Sequence, residues 1–125
     1  MRIRCYLVTA HAPQGTTLKE ANELWNAYIA DRRRGHCVFH DHFQDSPGGV
    51  AVIEAATEEQ QARLYDLAGL PGWQCVLHPL IYAQSAAGFV QQTAYTSGTY
   101  AGVPLQELLD RLARARAAGT DLKRA

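Results

Sequence analysis

A net charge of either sign is missing from this sequence. Twelve basic residues balance twelve acidic ones in 125, so nothing electrostatic argues for nucleic acid or an anionic membrane as partner. Cysteine is scarce: Cys5, Cys37 and Cys75 lie far apart with no C-x-x-C. Each falls inside a predicted strand, where a free thiol behaves as a small hydrophobe. That usage fits a reducing cytoplasm better than a disulfide framework. Long apolar runs are absent too. No segment approaches membrane-spanning length, and the opening MRIRCYLVTAHAP is interrupted by charge at positions 2 and 4, which argues against a cleavable signal. There is no phosphate-cradling glycine loop, no nucleophile elbow and no dinucleotide fingerprint. No internal repeat stands out. What is present is a 47% apolar chain, long enough for one domain with one core.

Periodicity lays out the elements. Arg2 to His11 alternates as a strand, with Ile3, Cys5, Leu7 and Thr9 on one face and Arg4, Tyr6, Val8 and Ala10 on the other. Thr17 with Glu20 makes a capping box. The helix it opens carries a stripe of Leu18, Ala21, Leu24, Trp25, Tyr28 and Ile29, and stops at Gly35. The basic run Arg32-Arg33-Arg34 at its end is read as a complement to the helix dipole rather than as a phosphate site. Thr57 to Gln60 repeats the capping pattern and opens a second helix with Ala62, Leu64, Tyr65, Leu67 and Ala68, broken at Leu70-Pro71-Gly72. Trp73 to Tyr82 is a fourth strand whose Pro79 cannot donate to a ladder, which places its later half at a sheet edge. The order strand-helix-strand-strand-helix-strand is the ferredoxin-like α+β arrangement over residues 1–83. Residues 84–125 form a helical extension: a short helix from Ser85 to about Thr96, then a firmer one opened by Pro104 with Leu105, Leu108, Leu109 and Leu112 and closed before Gly119. Thr120 to Ala125 are expected to fray.

The middle hairpin, GHCVFHDHFQDSPGGVAVIEA from Gly35 to Ala55, is read as turning at Ser46-Pro47-Gly48-Gly49 and holds three of the five histidines. Strict alternation puts His40 and His42 on one side with Val38 and Gln44, and Cys37, Phe39, Asp41 and Phe43 on the other. Both sides mix ionisable with apolar groups, which suits a sheet lining a pocket better than one separating core from water. Two crossover helices cover one face only. The face with Arg4, Tyr6 and Val8, if left bare, would be an apolar patch that a monomer avoids, so the tail helices or a second copy should hide it.

Several features resemble the dimeric α/β-barrel superfamily. They are Gly35 before the second strand, Val52-Ile53-Glu54 in the third, a helix led by Thr57-Glu58-Glu59, Leu67 through Pro71 closing it, and a strand after it. The stretch to residue 83 is most similar to muconolactone isomerases, and antibiotic-biosynthesis monooxygenases share the outline. The tail from Ser85 exceeds the extension of those isomerases. The resemblance implies two ferredoxin-like sheets packed face to face in a homodimer or higher homo-oligomer. It also implies outer strands that bring His78 of one subunit near His40 or His42 of the other.

The candidate site residues follow. His40, His42 and His78 are candidates for proton transfer, since imidazole titrates near neutrality. His40-x-His42 with His78 or Cys75 is the weaker reading as a metal site, because no third ligand has fixed spacing; no metal or cofactor is assigned. Arg4 and Tyr6 share a face of the first strand and would hold an anionic or enolic oxygen. Glu54 would be a further substrate-binding group or base. The function expected is a small cofactor-independent enzyme acting on a small organic substrate, isomerase- or cyclase-like. The alternatives are a cofactor-free monooxygenase and a non-catalytic homodimer that binds a ligand.

Overall fold

A computed structural model describes residues 2–121; residues 122–125, in the stretch expected to fray, lie outside the described residues. Two compact units divide the chain, one ending at Phe89 and one beginning at Val90. In the first, strand β1 (Arg4–His11), helix α1 (Leu18–Ala30), strands β2 (His36–His42) and β3 (Gly48–Ala55), helix α2 (Glu58–Leu64) and strand β4 (Gln74–Pro79) follow in turn. The four strands form one sheet in the order β2-β3-β1-β4, every neighbouring pair antiparallel. This α+β arrangement is compatible with a ferredoxin-like fold. β4 is an edge strand and ends at Pro79, as a residue without an amide donor requires.

Local chemistry sets the helix starts. The Thr17 hydroxyl accepts from the Glu20 amide at 3.1 Å, and Thr57 accepts from Gln60 at the same distance. Gln60 reaches back, its Oε1 accepting from the Ala56 amide at 2.7 Å. The ends differ from expectation. α1 stops at Ala30, because Asp31 adopts an extended conformation and its carboxylate accepts from the Arg33 amide, capping a separate 3-10 turn, Arg32–Arg34. α2 stops at Leu64, short of Leu67 and Ala68, because the Asp66 carboxylate takes the Ala68 amide and folds the chain into turns through Leu67–Leu70.

The main core lies between the sheet and α1 and α2. Tyr6, Val8, Ala10, Ala51, Ile53 and Ala55 meet Ala21, Trp25, Tyr28 and Leu64 there. Trp25 is fully buried and stacks on Tyr28 at 5.0 Å and on Trp73 at 6.3 Å. Gly49 permits this approach: a Cβ there would stand 2.4 Å from Trp25 Nε1. Gly48 and Gly49 are accordingly strand residues, and the turn is displaced to the residues before them. On the opposite face Cys5 and Val52 pack with Ala83, flanked by Leu7, Val38, Leu80 and Phe89. The segment after β4 is tied there by Cys5 N–H to the Ala83 carbonyl and Leu80 N–H to the Cys5 carbonyl.

The face assignment is therefore the reverse of the one expected. Tyr6 and Val8 point into the helix-covered core, and Cys5, Leu7 and Thr9 occupy the other face. β2 also departs from strict alternation. A register shift between Cys37 and Phe39 places Cys37, His40 and His42 opposite Ile53, Ala51 and Gly49, on the helix side. Val38 packs with the second cluster, and Phe39 and Asp41 stand opposite Val52 and Val50 on the same face. One extra residue in an edge strand changes which side its neighbours take.

The second unit holds most of helix α3 (Ala86–Ala101) and helix α4 (Leu105–Ala117). α3 runs five residues beyond its expected end, and the Ser97 hydroxyl donates to the Val103 carbonyl at 2.6 Å as the chain leaves it. No residue of either helix is buried.

Candidate functional site

A cavity of about 770 Å³ opens at the start of β2. Ile29 and Ala30 from the end of α1 and Arg32 from the 3-10 turn form one wall; His36, Cys37 and His40 from β2 form another. Glu54 and Gln60 complete it beside Gly35. Gly35 is needed there for two reasons. Its φ is +118°, and a Cβ would stand 1.9 Å from the Glu54 carbonyl oxygen. The size suits a small organic ligand, and the residues lining it include Ile29 and Ala30 beside Arg32, His36, His40 and Glu54.

Of the expected site residues, His40 and Glu54 reach this cavity. The Glu54 carboxylate is already engaged, since its Oε2 accepts from the Ala86 amide at 2.7 Å. His42 is one strand period from His40, with ring centroids 5.7 Å apart, edge to face. His42 Nδ1 is buried and has no hydrogen-bond partner, and the same holds for Trp25 Nε1. His78 stands opposite Leu7 on β4, at the far edge of the sheet and on its other face, so the three histidines do not gather within one chain. Arg4 and Tyr6 each have a protein partner. Arg4 Nη1 donates to the Leu80 carbonyl, and the Tyr6 hydroxyl accepts from Gln61 Nε2 at 2.7 Å within the helix-covered layer. His36 and Arg32 line the cavity without having been singled out for it. The signal was the proximity of both to Gly35, which bends the chain around the cavity mouth.

No family model, curated protein or solved structure matches this chain. Function rests on the site itself.

The thiols are poor nucleophiles here. Burial pushes Cys5 up to about 11, with the nearby Glu54 charge adding to it, and burial also raises Cys37 and Cys75. Cys37 Sγ lies 3.3 Å from the Phe39 carbonyl oxygen, to which it donates. Among the described residues no group of three or more His, Cys, Asp or Glu side chains is placed to hold a metal ion, and no helix is long and apolar enough to cross a membrane.

Beside the cavity lies an ion network. The Asp31 carboxylate accepts from Arg33 Nε at 2.9 Å and from Arg63 Nη2 at 2.8 Å, and Arg63 Nη1 also meets Asp66. Arg33, then Arg63, holds the Asp31 carboxyl well below the usual carboxylate range. Arg34 is buried, donates to the carbonyls of Tyr28, Arg63 and Asp66, and lies 3.9 Å over the Tyr28 ring. The two arginines nearest Gly35 in sequence thus have separate fates from Arg32, which faces the cavity.

Proposed function

We propose that this chain is a small enzyme that moves protons on a small organic substrate held in the β2 cavity, isomerase- or cyclase-like and independent of a cofactor. The observation that supports it best is that two histidines, His36 and His40, line one cavity together with apolar Ile29 and Ala30 and polar Arg32, Glu54 and Gln60. An imidazole can accept and return a proton near neutral pH. His40 is assigned the transfer, with His36 as its counterpart. With the Cys37 thiol held protonated by burial, covalent thiol catalysis is the poorer reading. A lactone or an enolisable ring compound fits this chemistry. The similarity in pattern to muconolactone isomerases points the same way.

The working form we propose is a homodimer in a reducing cytoplasm, paired through the sheet face opposite α1 and α2. Val76 and Phe39 on that face are 50% and 44% exposed, more apolar surface than a solvated sheet needs. The test is solvent deuterium uptake into a panel of lactones and enolisable acids. At least one should exchange at a pH-dependent rate that falls about 100-fold or more in His40→Gln. Uptake unchanged in His40→Gln would overturn the role of His40, and no uptake across the panel would overturn the reaction class. Sedimentation of the same protein should give twice the chain mass.

A further inference from the structure

Three consecutive arginines follow α1, and the fold uses them differently. Arg33 is spent on Asp31, through its backbone amide and its guanidinium. Arg34 is buried and fully occupied with backbone carbonyls. Arg32 lines the cavity, is exposed, and among the described residues has neither an ion pair nor a side-chain hydrogen bond. Asp31, the adjacent carboxylate, is taken by Arg33 and Arg63; Glu54, the acid on the cavity wall, is committed to the Ala86 amide and forms no ion pair with Arg32. The cavity therefore has one guanidinium with no internal counter-ion.

We propose that Arg32 is the specificity residue of this cavity and selects organic anions: the ligand is a small carboxylic acid whose carboxylate meets Arg32 while its apolar body lies along Ile29 and Cys37 toward His36 and His40. This rests on the reading of the cavity as the substrate site. A guanidinium is permanently charged, and its planar fork matches a carboxylate through paired N–H donors, which a neutral amide of the same shape cannot reproduce. The neighbouring contacts favour the role, because the ion network fixes the start of the 3-10 turn that carries Arg32 and a backbone bond closes its end. Asp31 caps the start of that turn, and the Gly35 amide bonds to the Arg32 carbonyl at its end. A residue on a pinned turn loses less freedom when it engages a ligand.

The experiment titrates benzoate and benzamide, which share a ring and differ in charge, into the full chain and follows the His36 and His40 ring proton resonances. Benzoate should shift both saturably, with benzamide weaker by about tenfold or more. Arg32→Gln should erase that preference, and Arg33→Gln, at the adjacent position spent on Asp31, should retain it. Equal response to the two probes, or a preference that survives Arg32→Gln, overturns anion selection and leaves the proton-transfer reading standing. If neither probe shifts either histidine, the cavity is not the binding site and both readings fall.

Discussion

Gly49 sits where helix α1 crosses the sheet, and the space it leaves is filled by an indole. A methyl group there would meet Trp25 Nε1 at 2.4 Å and the Asp41 carbonyl oxygen at 2.6 Å, both too close for real atoms. Gly49→Ala should therefore destabilise the chain by about 1–3 kcal/mol. Gly69→Ala, which meets nothing within 4 Å, is the control for urea unfolding, and an equal effect of the two would refute this packing. Trp25 is legible in the sequence as a core residue from its place in the apolar stripe. Its partner glycine is not, because Gly48-Gly49 after Ser46-Pro47 carries every sign of a turn. Only the proximity of a helix three-dimensionally above the strand distinguishes a glycine that bends the chain from one that admits a neighbour. The same holds for Tyr28, whose burial pushes its phenol up to about 12 and whose hydroxyl donates to the Leu64 carbonyl at 2.7 Å.

At the scale of elements, the junction of α1, the 3-10 turn and α2 is held by charge. Asp31 joins Arg33 and Arg63 with its folded carboxyl held low, so its contribution depends on pH in a defined sense. A depressed folded value means stabilisation that is present above the ordinary carboxylate range, about pH 4, and is lost as pH falls below it toward the folded value. Asp31→Asn should accordingly lower stability at pH 7, and the gap between variant and parent should narrow at pH 3. A gap that stays constant or widens in acid would show that the carboxylate charge is not what holds the junction. The capping boxes at Thr17 and Thr57 are legible as short sequence patterns, since they involve residues three apart. The early ends of α1 and α2 are not, because an Asp two residues before an amide can either cap it or leave the helix running, and here Arg63 holds both carboxylates in place.

For the molecule as a whole, every buried residue named in its core lies at or before Ala83, and no residue of α3 or α4 is buried. A chain ending at Phe89 should thus keep the sheet core and the Glu54–Ala86 contact, and unfold cooperatively within a few degrees of the full chain. A molten product, with native-like far-ultraviolet but no near-ultraviolet circular dichroism, would show that residues 90–121 are needed for the first unit's packing. Sequence by itself determined the order of elements, the two sets of residues on β1, and the absence of charge, disulfide or nucleotide signatures, because these follow from local spacing and composition. Tertiary structure decided which set faces the helices, since alternation sorts side chains into two groups without saying which one is covered. It also decided that one irregular residue in β2 puts Cys37 on the side of His40, that Arg4 and Tyr6 are committed elsewhere, and that Arg32, His36 and His40 share a cavity. The physical reason is distance along the chain: contacts among residues far apart in sequence exist only after the sheet has paired and the helices have crossed it.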